Sequence, residues 1–382
     1  MFPKLRFKEF DDDWSPYVLK DFVSFRKGKG ISKADISENG INECIRYGEL
    51  YTTYGQVIDH IHSKTNVSKS ECILSKAGDV IIPASGETQI DIATASCVLH
   101  DDIILSGDLN ILSHEENGSW LAYYLSSAKK LEIAQLAQGN SVVHLYSSQL
   151  KDLKINKPSK AEQTKIVTFL SAVDEKISQL TQKHELLSQY KQGMMQKLFS
   201  QQIRFKADDG SEFGEWKSVF LGDISKPQQW KTISSSELTE IGYPVFGANG
   251  YIGFYPKYNH INETIAVTCR GATCGEVTLV KAKSYITGNA MSIDEINENE
   301  HSTLYIYYAL CFRGFKDVIS GSAQPQIVGN AIRKVTFQIP CLEEQTKIAN
   351  FLSSIDQKIE VVAQQIEQAK QWKKGLLQNM FV

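Results

Sequence analysis

The sequence predicts an α/β (α+β) fold in which two mixed α/β globules are separated by two long helices that form an antiparallel coiled coil. One stretch of 42 residues occurs twice at a constant offset of 182 residues, at 158–199 and 340–381, with about 19 identical positions. Each copy carries a seven-residue apolar repeat, which is typical of a helix that packs against another helix. Ahead of each copy, short apolar runs separated by turn residues precede one helical stretch, a pattern typical of a mixed α/β domain.

The overall composition is that of a globular chain and excludes little else. Its 382 residues are enough for two domains, and 42% hydrophobic with 22% charged residues is ordinary for such a chain. No run of about 18 apolar residues is present, so we expect no membrane span. Seven cysteines without a CxxC pair favour reduced thiols and a cytoplasmic location. The net charge of −3 gives no indication of a nucleic-acid partner.

The first globule is predicted to cover residues 1–157. Strands are expected over four short apolar runs, and one helical stretch follows them at 119–137. A last strand leads to Pro158. The four runs are CIRYGELY (44–51), DVIIPAS (79–85), SCVLHD (96–101) and LNILS (109–113).

The second globule is predicted to cover residues 201–339 and repeats the same order. Its helical stretch at 302–320 matches 119–137, with Tyr123-Tyr124 set against Tyr307-Tyr308. Trp14 and Trp216 open the two halves, so the duplication extends beyond the long repeat. The expected strands are GYPVF (242–246), TIAVTC (264–269), EVTLV (276–280) and MSI (291–293).

The long repeat is predicted to form one helix per half, over 158–200 and 340–382. A proline stands at the start of each copy and none follows within it, as suits a long helix. A narrow apolar seam needs a partner, and the other copy is the obvious one. Antiparallel pairing would put the globules at opposite ends of a rod about 60 Å long. The residues expected to pair are Ile166, Leu170, Val173, Ile177, Leu180, Leu187, Ile348, Leu352, Ile355, Ile359, Val362 and Ile366.

Two features of the long repeat leave an alternative open. His184 and Lys191 interrupt the first seam and Lys373 interrupts the second, so neither is a perfect zipper. The alternative is that each long helix packs against its own globule instead of against the other helix.

The repeat has a recognisable motif. Each copy begins P-x-x-x-E-Q-x-K-I and continues F-L-x-x-x-D-x-K-I, and each follows a different α/β globule. In this the chain resembles the DNA-specificity (S) subunit of Type I restriction–modification enzymes, over nearly its whole length. The resemblance rests on Pro158, Glu162, Gln163, Lys165, Ile166, Phe169, Leu170, Asp174, Lys176 and Ile177, and on Pro340, Glu344, Gln345, Lys347, Ile348, Phe351, Leu352, Asp356, Lys358 and Ile359.

The resemblance implies a division of labour. Each globule would be a target recognition domain that reads one half of a bipartite site in double-stranded DNA. The helix pair would set the spacer and dock two methyltransferase (modification) subunits, and restriction/motor subunits would complete the complex. S-adenosylmethionine, ATP and magnesium would belong to those partners, and this chain would hold no cofactor or metal.

The residues themselves indicate no chemistry. The chain lacks the Asn-Pro-Pro-aromatic or Asp-Pro-Pro-aromatic tetrapeptide typical of amino-methyltransferases, and its glycine clusters do not match a phosphate-binding loop. The eight histidines have no metal-ligand spacing. Two alternatives remain open: a self-contained DNA methyltransferase or nuclease with a coiled-coil dimerisation arm, and a structural coiled-coil protein without a nucleic-acid role.

Candidate DNA contacts are polar residues set near glycines at the ends of predicted strands. Arg, Lys, Asn and Gln are the side chains that read base edges, and they also contact phosphates. The first half departs from the second at one motif, since Gly139-Asn-Ser-Val-Val-His-Leu stands where Gly321-Ser-Ala-Gln-Pro-Gln-Ile stands. The candidates are Arg26, Lys27, Lys29, Lys33, Thr88, Gln89, Asn140, Ser141, His144, Gln229, Lys231, Asn249, Tyr251, Arg270, Thr273, Ser322, Gln324 and Gln326.

Overall fold

A computed structural model describes residues 3–139, 142–248, 250–321 and 323–381. The chain divides into two compact units. The first contains Met1–Leu180 with Gln365–Val382, and the second contains Thr181–Gln364. Each unit therefore holds one globule and part of both long helices.

The first globule is a mixed α/β domain with short helices at its strand ends. Its strands are β1 (Ser15–Val18), β2 (Ser24–Lys27), β3 (Asn42–Ile45), β4 (Val57–Ile58), β5 (Ser63–Thr65), β6 (Ile73–Leu74), β7 (Val80–Pro83), β8 (Ser85–Gly86), β9 (Ser96–Val98), β10 (Ile104–Leu105), β11 (Leu109–Ser113), β12 (Val143–His144) and β13 (Lys154–Lys157). Its helices are α1 (Glu49–Thr52), α2 (Gln89–Ile92), α3 (Gly118–Ser126), α4 (Lys130–Leu136) and α5 (Ser147–Leu150).

The first long helix, α6, runs from Lys160 to Phe199, and the second, α10, runs from Leu342 to Met380. The second globule lies between them in the chain. Its strands are β14 (Lys217–Phe220), β15 (Lys226–Gln229), β16 (Tyr243–Gly247), β17 (Gly250–Tyr255), β18 (Thr264–Thr268), β19 (Val277–Val280), β20 (Tyr285–Ile286), β21 (Ala290–Asp294) and β22 (Thr336–Ile339). Its helices are α7 (Leu221–Ile224), α8 (Thr303–Arg313) and α9 (Gly329–Arg333).

The two globules share one sheet plan. The main sheet has the order β2-β11-β7-β9-β4 in the first and β15-β21-β18-β19 in the second. A second sheet has the order β5-β3-β10-β6 and is matched by β17-β16-β20. In each globule the strand after the opening Trp pairs with the strand that leads into the long helix, as β1-β13 and β14-β22. The predicted duplication of the globular parts is confirmed by this shared order.

Several details of the sequence expectations are wrong, among them the helical stretch 302–320, since α8 ends at Arg313. The run 44–51 leaves its strand after Ile45 and turns into α1, because the Glu49 carboxylate accepts the Arg46 backbone N–H at 2.8 Å. The stretch 119–137 is two helices, α3 and α4, and not one. The match of Tyr123-Tyr124 with Tyr307-Tyr308 is displaced by one residue, since Tyr123 occupies the place of Tyr308 in the contacts described below.

The two long helices pair in antiparallel order within each unit. In the first unit, Ile166 and Leu170 near the start of α6 share a buried cluster with Leu376 and Met380 at the end of α10. In the second unit, Leu198 at the end of α6 shares a buried cluster with residues such as Leu352 near the start of α10. The predicted seam residues are all buried or half-buried.

These clusters also contain the core of the globule in the same unit. Trp14 and Trp120 lie in the cluster with Ile166, and Tyr305 lies in the cluster with Leu352. Packing on the other helix and packing on the globule are therefore not alternatives, because each helix does both along one buried face. No helix within the described part of the chain is long and apolar enough to cross a membrane.

The lysines that interrupt the seams have partners on the opposite helix. In the first unit Lys373 Nζ lies 2.5 Å from Asp174 Oδ1, and Tyr123 donates its hydroxyl to Asp174 Oδ2 at 2.6 Å. The ammonium of Lys373 also stands 5.4 Å from the centre of the Tyr123 ring. One Tyr–Asp–Lys contact thus joins the globule helix α3 to both long helices.

The second unit repeats this contact. Lys191 Nζ lies 2.5 Å from Asp356 Oδ1, Tyr308 donates to Asp356 Oδ2 at 2.7 Å, and the lysine stands 5.3 Å from the ring centre. Burial and the neighbouring aspartate raise the pKa of Tyr308 well above its usual value. Because polar contacts in an apolar seam are satisfied in only one register, this pair favours the observed alignment.

The repeated Glu-Gln pair fixes each long helix to its own globule. Glu162 receives Arg6 Nε and Nη2, both at 2.8 Å, together with Trp14 Nε1 at 3.3 Å. Gln163 accepts the Asn117 backbone N–H at 3.0 Å, and Asn117 is the residue that caps α3.

In the second unit the same groups recur around Glu344 and Gln345. Glu344 receives Arg204 at 3.0 and 2.7 Å and Trp216 Nε1 at 3.1 Å, while Gln345 accepts the Ser302 N–H at 2.9 Å. The most recognisable residues of the motif are therefore buried anchors.

Candidate functional site

In each globule the polar candidates cluster where two strands of the main sheet end. Strands β2 and β7 both run antiparallel to β11, so their carboxyl ends lie at one edge of the sheet. Strands β15 and β18 stand in the same relation to β21. Segments that follow these strands leave from equivalent edges of the two sheets.

We call this region the polar edge. In the first unit it consists of segments 27–29, 85–89 and 142–146, and in the second unit of segments 229–231, 269–273 and 324–328. Backbone hydrogen bonds join the last two segments of each set. The Leu145 N–H donates at 3.0 Å to the carbonyl of Ala84, the residue before segment 85–89, and the Ile327 N–H donates to the Cys269 carbonyl at 3.0 Å.

In the first unit a tight backbone closure supports the polar edge. Gln138 and His144 exchange both backbone hydrogen bonds, with N–O distances of 2.9 and 2.7 Å. Gly139 has φ +127°, and a Cβ there would stand 2.1 Å from the Val142 carbonyl oxygen, so a glycine is required. His144 pairs with Ser85 across β12 and β8 and is presented to solvent.

In the second unit the closure has the same spacing. Ser320 and Gln326 exchange backbone hydrogen bonds of 2.9 and 2.8 Å. Gly321 has φ +83°, and a Cβ there would lie 2.6 Å from the Gln324 carbonyl oxygen. Gln326 pairs with Arg270, and both side chains are exposed. The departure of 139–145 from the motif at 321–327 therefore changes side chains while this backbone closure is kept.

The first-unit candidates differ in their exposure and in the groups that they contact. Lys27, Lys29 and Lys33 are exposed, whereas Thr88 caps α2 by accepting the Asp91 N–H at 3.1 Å. Gln89 Nε2 reaches the Ala137 carbonyl at 3.4 Å. With His144, these two residues place polar groups of α2 and β12 side by side. Asn140 and Ser141 lie outside the described residues.

Arg26 differs from the exposed lysines that follow it in the sequence. Arg26 lies on β2, and its Nη2 is 2.5 Å from Oδ2 of the buried Asp79. Its Nη1 also donates to the Leu74 carbonyl at 3.2 Å. The buried carboxylate engages the guanidinium, so Arg26 supports the sheet.

The second-unit candidates converge on the segment that follows β18. Gln229 Nε2 donates to the Gly288 carbonyl at 2.8 Å and lies 3.0 Å from Cys269 Sγ. Thr273 Oγ1 donates to the Ala248 carbonyl at 2.9 Å. Gln229 thus contacts the residue before Arg270, and Thr273 lies three residues after it.

The remaining second-unit candidates border this group. Tyr251 is 51% exposed, Lys231 and Gln324 are exposed, and the Lys231 carbonyl accepts the Tyr285 hydroxyl at 3.1 Å. Asn249 and Ser322 lie outside the described residues.

Arg46 is a candidate that the sequence reasoning missed. It lines a cleft of about 380 Å³ with Lys33, Tyr47 and the backbone of Gly48 and Gly107. Its Nη2 donates to Glu49 at 3.0 Å, which orients the guanidinium. The sequence placed Arg46 inside the predicted strand 44–51, and the available signal was Gly48, two residues after it.

An acidic cavity in the second unit has the opposite character. It has a volume of about 430 Å³ and is lined by carboxylates that include Glu263, Glu295 and Glu298. Burial disfavours the charge of Asp294 in its wall, but hydrogen bonds from His260 and Gln228 outweigh that effect and lower the pKa of Asp294. A negatively charged cavity would repel phosphates, so the polar edge is the better nucleic-acid surface.

The described residues contain no group of three or more His, Cys, Asp or Glu side chains arranged to hold a metal ion. The polar edge offers hydrogen-bond donors and acceptors, among them the Ser85 hydroxyl, whose Oγ lies 3.2 Å from His144 Nδ1. The polar edge is suited to binding a polar ligand through hydrogen bonds.

Comparison with known proteins gives one consistent result. The protein-family model of the Type I restriction modification DNA specificity domain matches residues 11–189 and 214–371 of this chain. The MjaVIII specificity subunit of a Type I restriction enzyme from Methanocaldococcus jannaschii is 24% identical, over 96% of this chain and 91% of that protein.

Solved structures agree on the fold. The crystal structure of a Type I restriction-modification S subunit from M. genitalium has a TM-score of 0.70 at 18% identity, covering 100% of this chain and 99% of that one. A chain from a study of complex assembly and conformational transition in a type I R-M system has a TM-score of 0.56 at 16% identity, covering 96% and 97%.

Proposed function

Because this chain belongs to the Type I restriction–modification DNA specificity family, we propose that it is the subunit that selects the DNA sequence on which such a complex acts. Each globule reads one half of a bipartite site in double-stranded DNA. The observation that carries the proposal is the polar edge, which the two globules build on the same sheet plan and fill with different side chains.

The difference in side chains implies an asymmetric site. Ser85 and His144 stand in the first unit where Arg270 and Gln326 stand in the second. Side chains with different donor and acceptor patterns prefer different base pairs. The two half-sites therefore differ in sequence.

The long helices supply the spacer and the assembly surface in this proposal. Their buried faces are occupied by each other and by the globules, and their outer faces are exposed and carry polar residues together with apolar ones such as Leu186 and Trp372. Two methyltransferase subunits dock on these outer faces, and restriction/motor subunits join through the complex. S-adenosylmethionine, ATP and magnesium are bound by those partners, and the assembly works in the cytoplasm.

The chain carries no catalysis of its own in this proposal. The curated relative from M. jannaschii is named as a specificity subunit and the solved M. genitalium structure as an S subunit. A self-contained methyltransferase or nuclease with a dimerisation arm is the competing function. It would need a site of chemistry inside this chain.

One experiment separates the two functions. The purified chain is incubated with a random duplex library, labelled S-adenosylmethionine and magnesium. We expect it to retain duplexes with a split motif and to transfer no methyl group and cut no strand. Methyl transfer or cleavage by the chain alone would favour the enzyme. Retention without any sequence preference would contradict the recognition role.

A further inference from the structure

We propose that the paired positions of the polar edge, Ser85 with His144 and Arg270 with Gln326, are the principal specificity positions of the two globules. This inference rests on the proposed function and deepens it. In the second unit, Arg270 reads a guanine and Gln326 reads an adenine in the adjacent base pair.

The backbone geometry fixes where these side chains start. Arg270 and Gln326 are direct partners across an antiparallel bridge. Opposed residues of such a bridge have Cα atoms about 4.5–5.5 Å apart. Successive base pairs rise about 3.4 Å along the duplex. Two neighbouring side chains of this spacing reach base edges no more than about one step apart.

The side-chain chemistry selects the bases. A guanidinium donates two hydrogen bonds to O6 and N7 of guanine, and a carboxamide pairs with N6 and N7 of adenine. Both side chains are exposed, while Cys269 and Ile327 beside them are buried. The backbone is thus held by the core and the readers point away from it.

The flanking contacts make this edge rigid. The Gly271 N–H donates to the Pro325 carbonyl at 3.1 Å, beside the closure of Ser320 with Gln326. A reader fixed on a rigid segment loses less conformational freedom when it binds. Arg26, by contrast, is engaged by Asp79 and is not available for this role.

The first unit uses the same positions with other groups. Ser85 is buried, and its Oγ lies 3.2 Å from His144 Nδ1, so Ser85 positions the ring of His144. Tyr146 is 55% exposed, and its ring is nearly parallel to that of His144 with the centres 6.3 Å apart. His144 is the direct reader in this unit.

The test uses the full chain and a library of random duplexes. The selected motif is determined for the native protein and for Arg270→Ala, Gln326→Ala and His144→Ala. Binding is then measured for duplexes with single base-pair replacements. Lys281→Ala is the matched control, because this exposed lysine follows β19 at the opposite edge of the same sheet.

We expect each variant to lose discrimination at its own position only. Arg270→Ala should reduce the preference for one G·C pair, and Gln326→Ala should reduce the preference for an A·T pair at the neighbouring step, each by about 5- to 150-fold. Both should leave the other half-site intact, His144→Ala should act on that other half alone, and Lys281→Ala should change neither half.

Two results would overturn the inference. If native protein selects a split motif but the variants weaken all sequences equally, these residues contact phosphates, and the inference fails while the proposed function stands. The same holds if one variant alters both halves. If the native chain selects no split motif, the proposed function fails first. Melting curves that match the native protein show that each variant is folded.

Discussion

Glu344 illustrates how single residues of the repeat work. Its carboxylate is buried completely and receives two bonds from Arg204 and one from Trp216. The hydrogen bonds between Arg204 and Glu344 raise the pKa of Arg204. The residue joins the second long helix to the segment that opens its globule, so it acts on stability and not on DNA.

We expect Glu344→Gln to lower the free energy of unfolding by about 2–4 kcal/mol, because Arg204 loses the charge that compensates its own partial burial. Urea denaturation of both proteins measures the change. Glu343→Gln is the matched control, since Glu343 is the neighbouring residue and its side chain is 55% exposed. Equal effects of the two substitutions would contradict the anchor role.

Tyr308 gives a prediction that depends on pH. Burial and the hydrogen bond to Asp356 raise the pKa of Tyr308 in the folded protein, whereas an unfolded chain has a tyrosine pKa of about 10. Above that value the unfolded state loses the proton first, so stability is full below about pH 10 and falls as pH rises further. Tyr308→Phe should make thermal stability less sensitive to pH above 10. Tyr190→Phe is the control, because Tyr190 is exposed, and it should leave the pH dependence of stability unchanged. If Tyr308→Phe also leaves the loss of stability above pH 10 unchanged, this account is contradicted.

The long helices show which properties of an element can be read from its sequence. Their limits and seams follow from the prolines, the seven-residue spacing and the absence of breakers, and the structure places them within two residues of the prediction. The interrupting lysines could not be explained from one helix, because their partners Asp174 and Asp356 belong to the other copy. The packing of the same helix face against the globule was missed for a similar reason, since Trp14, which lies in the cluster with Ile166, is far from it in the sequence.

At this scale we expect Leu352→Ala to destabilise the protein by about 2–5 kcal/mol, because it leaves a cavity in a buried cluster. Leu352 is 0% exposed in the cluster shared by both long helices and the second globule. Guanidinium denaturation measures the effect. Leu186→Ala is the control, as Leu186 is 57% exposed on α6, and it should change stability by less than about 0.5 kcal/mol. A loss at Leu186 as large as that at Leu352 would show that the seam is assigned to the wrong face.

The whole molecule is a duplicated frame whose halves differ at the polar edge. The duplication and the order of the elements could be predicted, because they are carried by local patterns and a gapless repeat. The site could be predicted only in outline. The ion pair of Arg26 could not be foreseen, because Asp79 is 53 positions away, and Arg270 and Gln326 meet only through a bridge between distant segments. Net charge gave no sign of DNA, because readers on one edge hardly change the total of −3.

The central claim is that this chain directs the modification of a split DNA site without modifying DNA itself. Methylation-sensitive sequencing of genomic DNA, from cells with the chain and from cells that lack it, tests the claim most directly. The account predicts that one asymmetric bipartite motif with a fixed spacer is methylated only when the chain is present. Methylation of that motif in its absence, or a dependence on the chain that involves only a continuous motif, would contradict it.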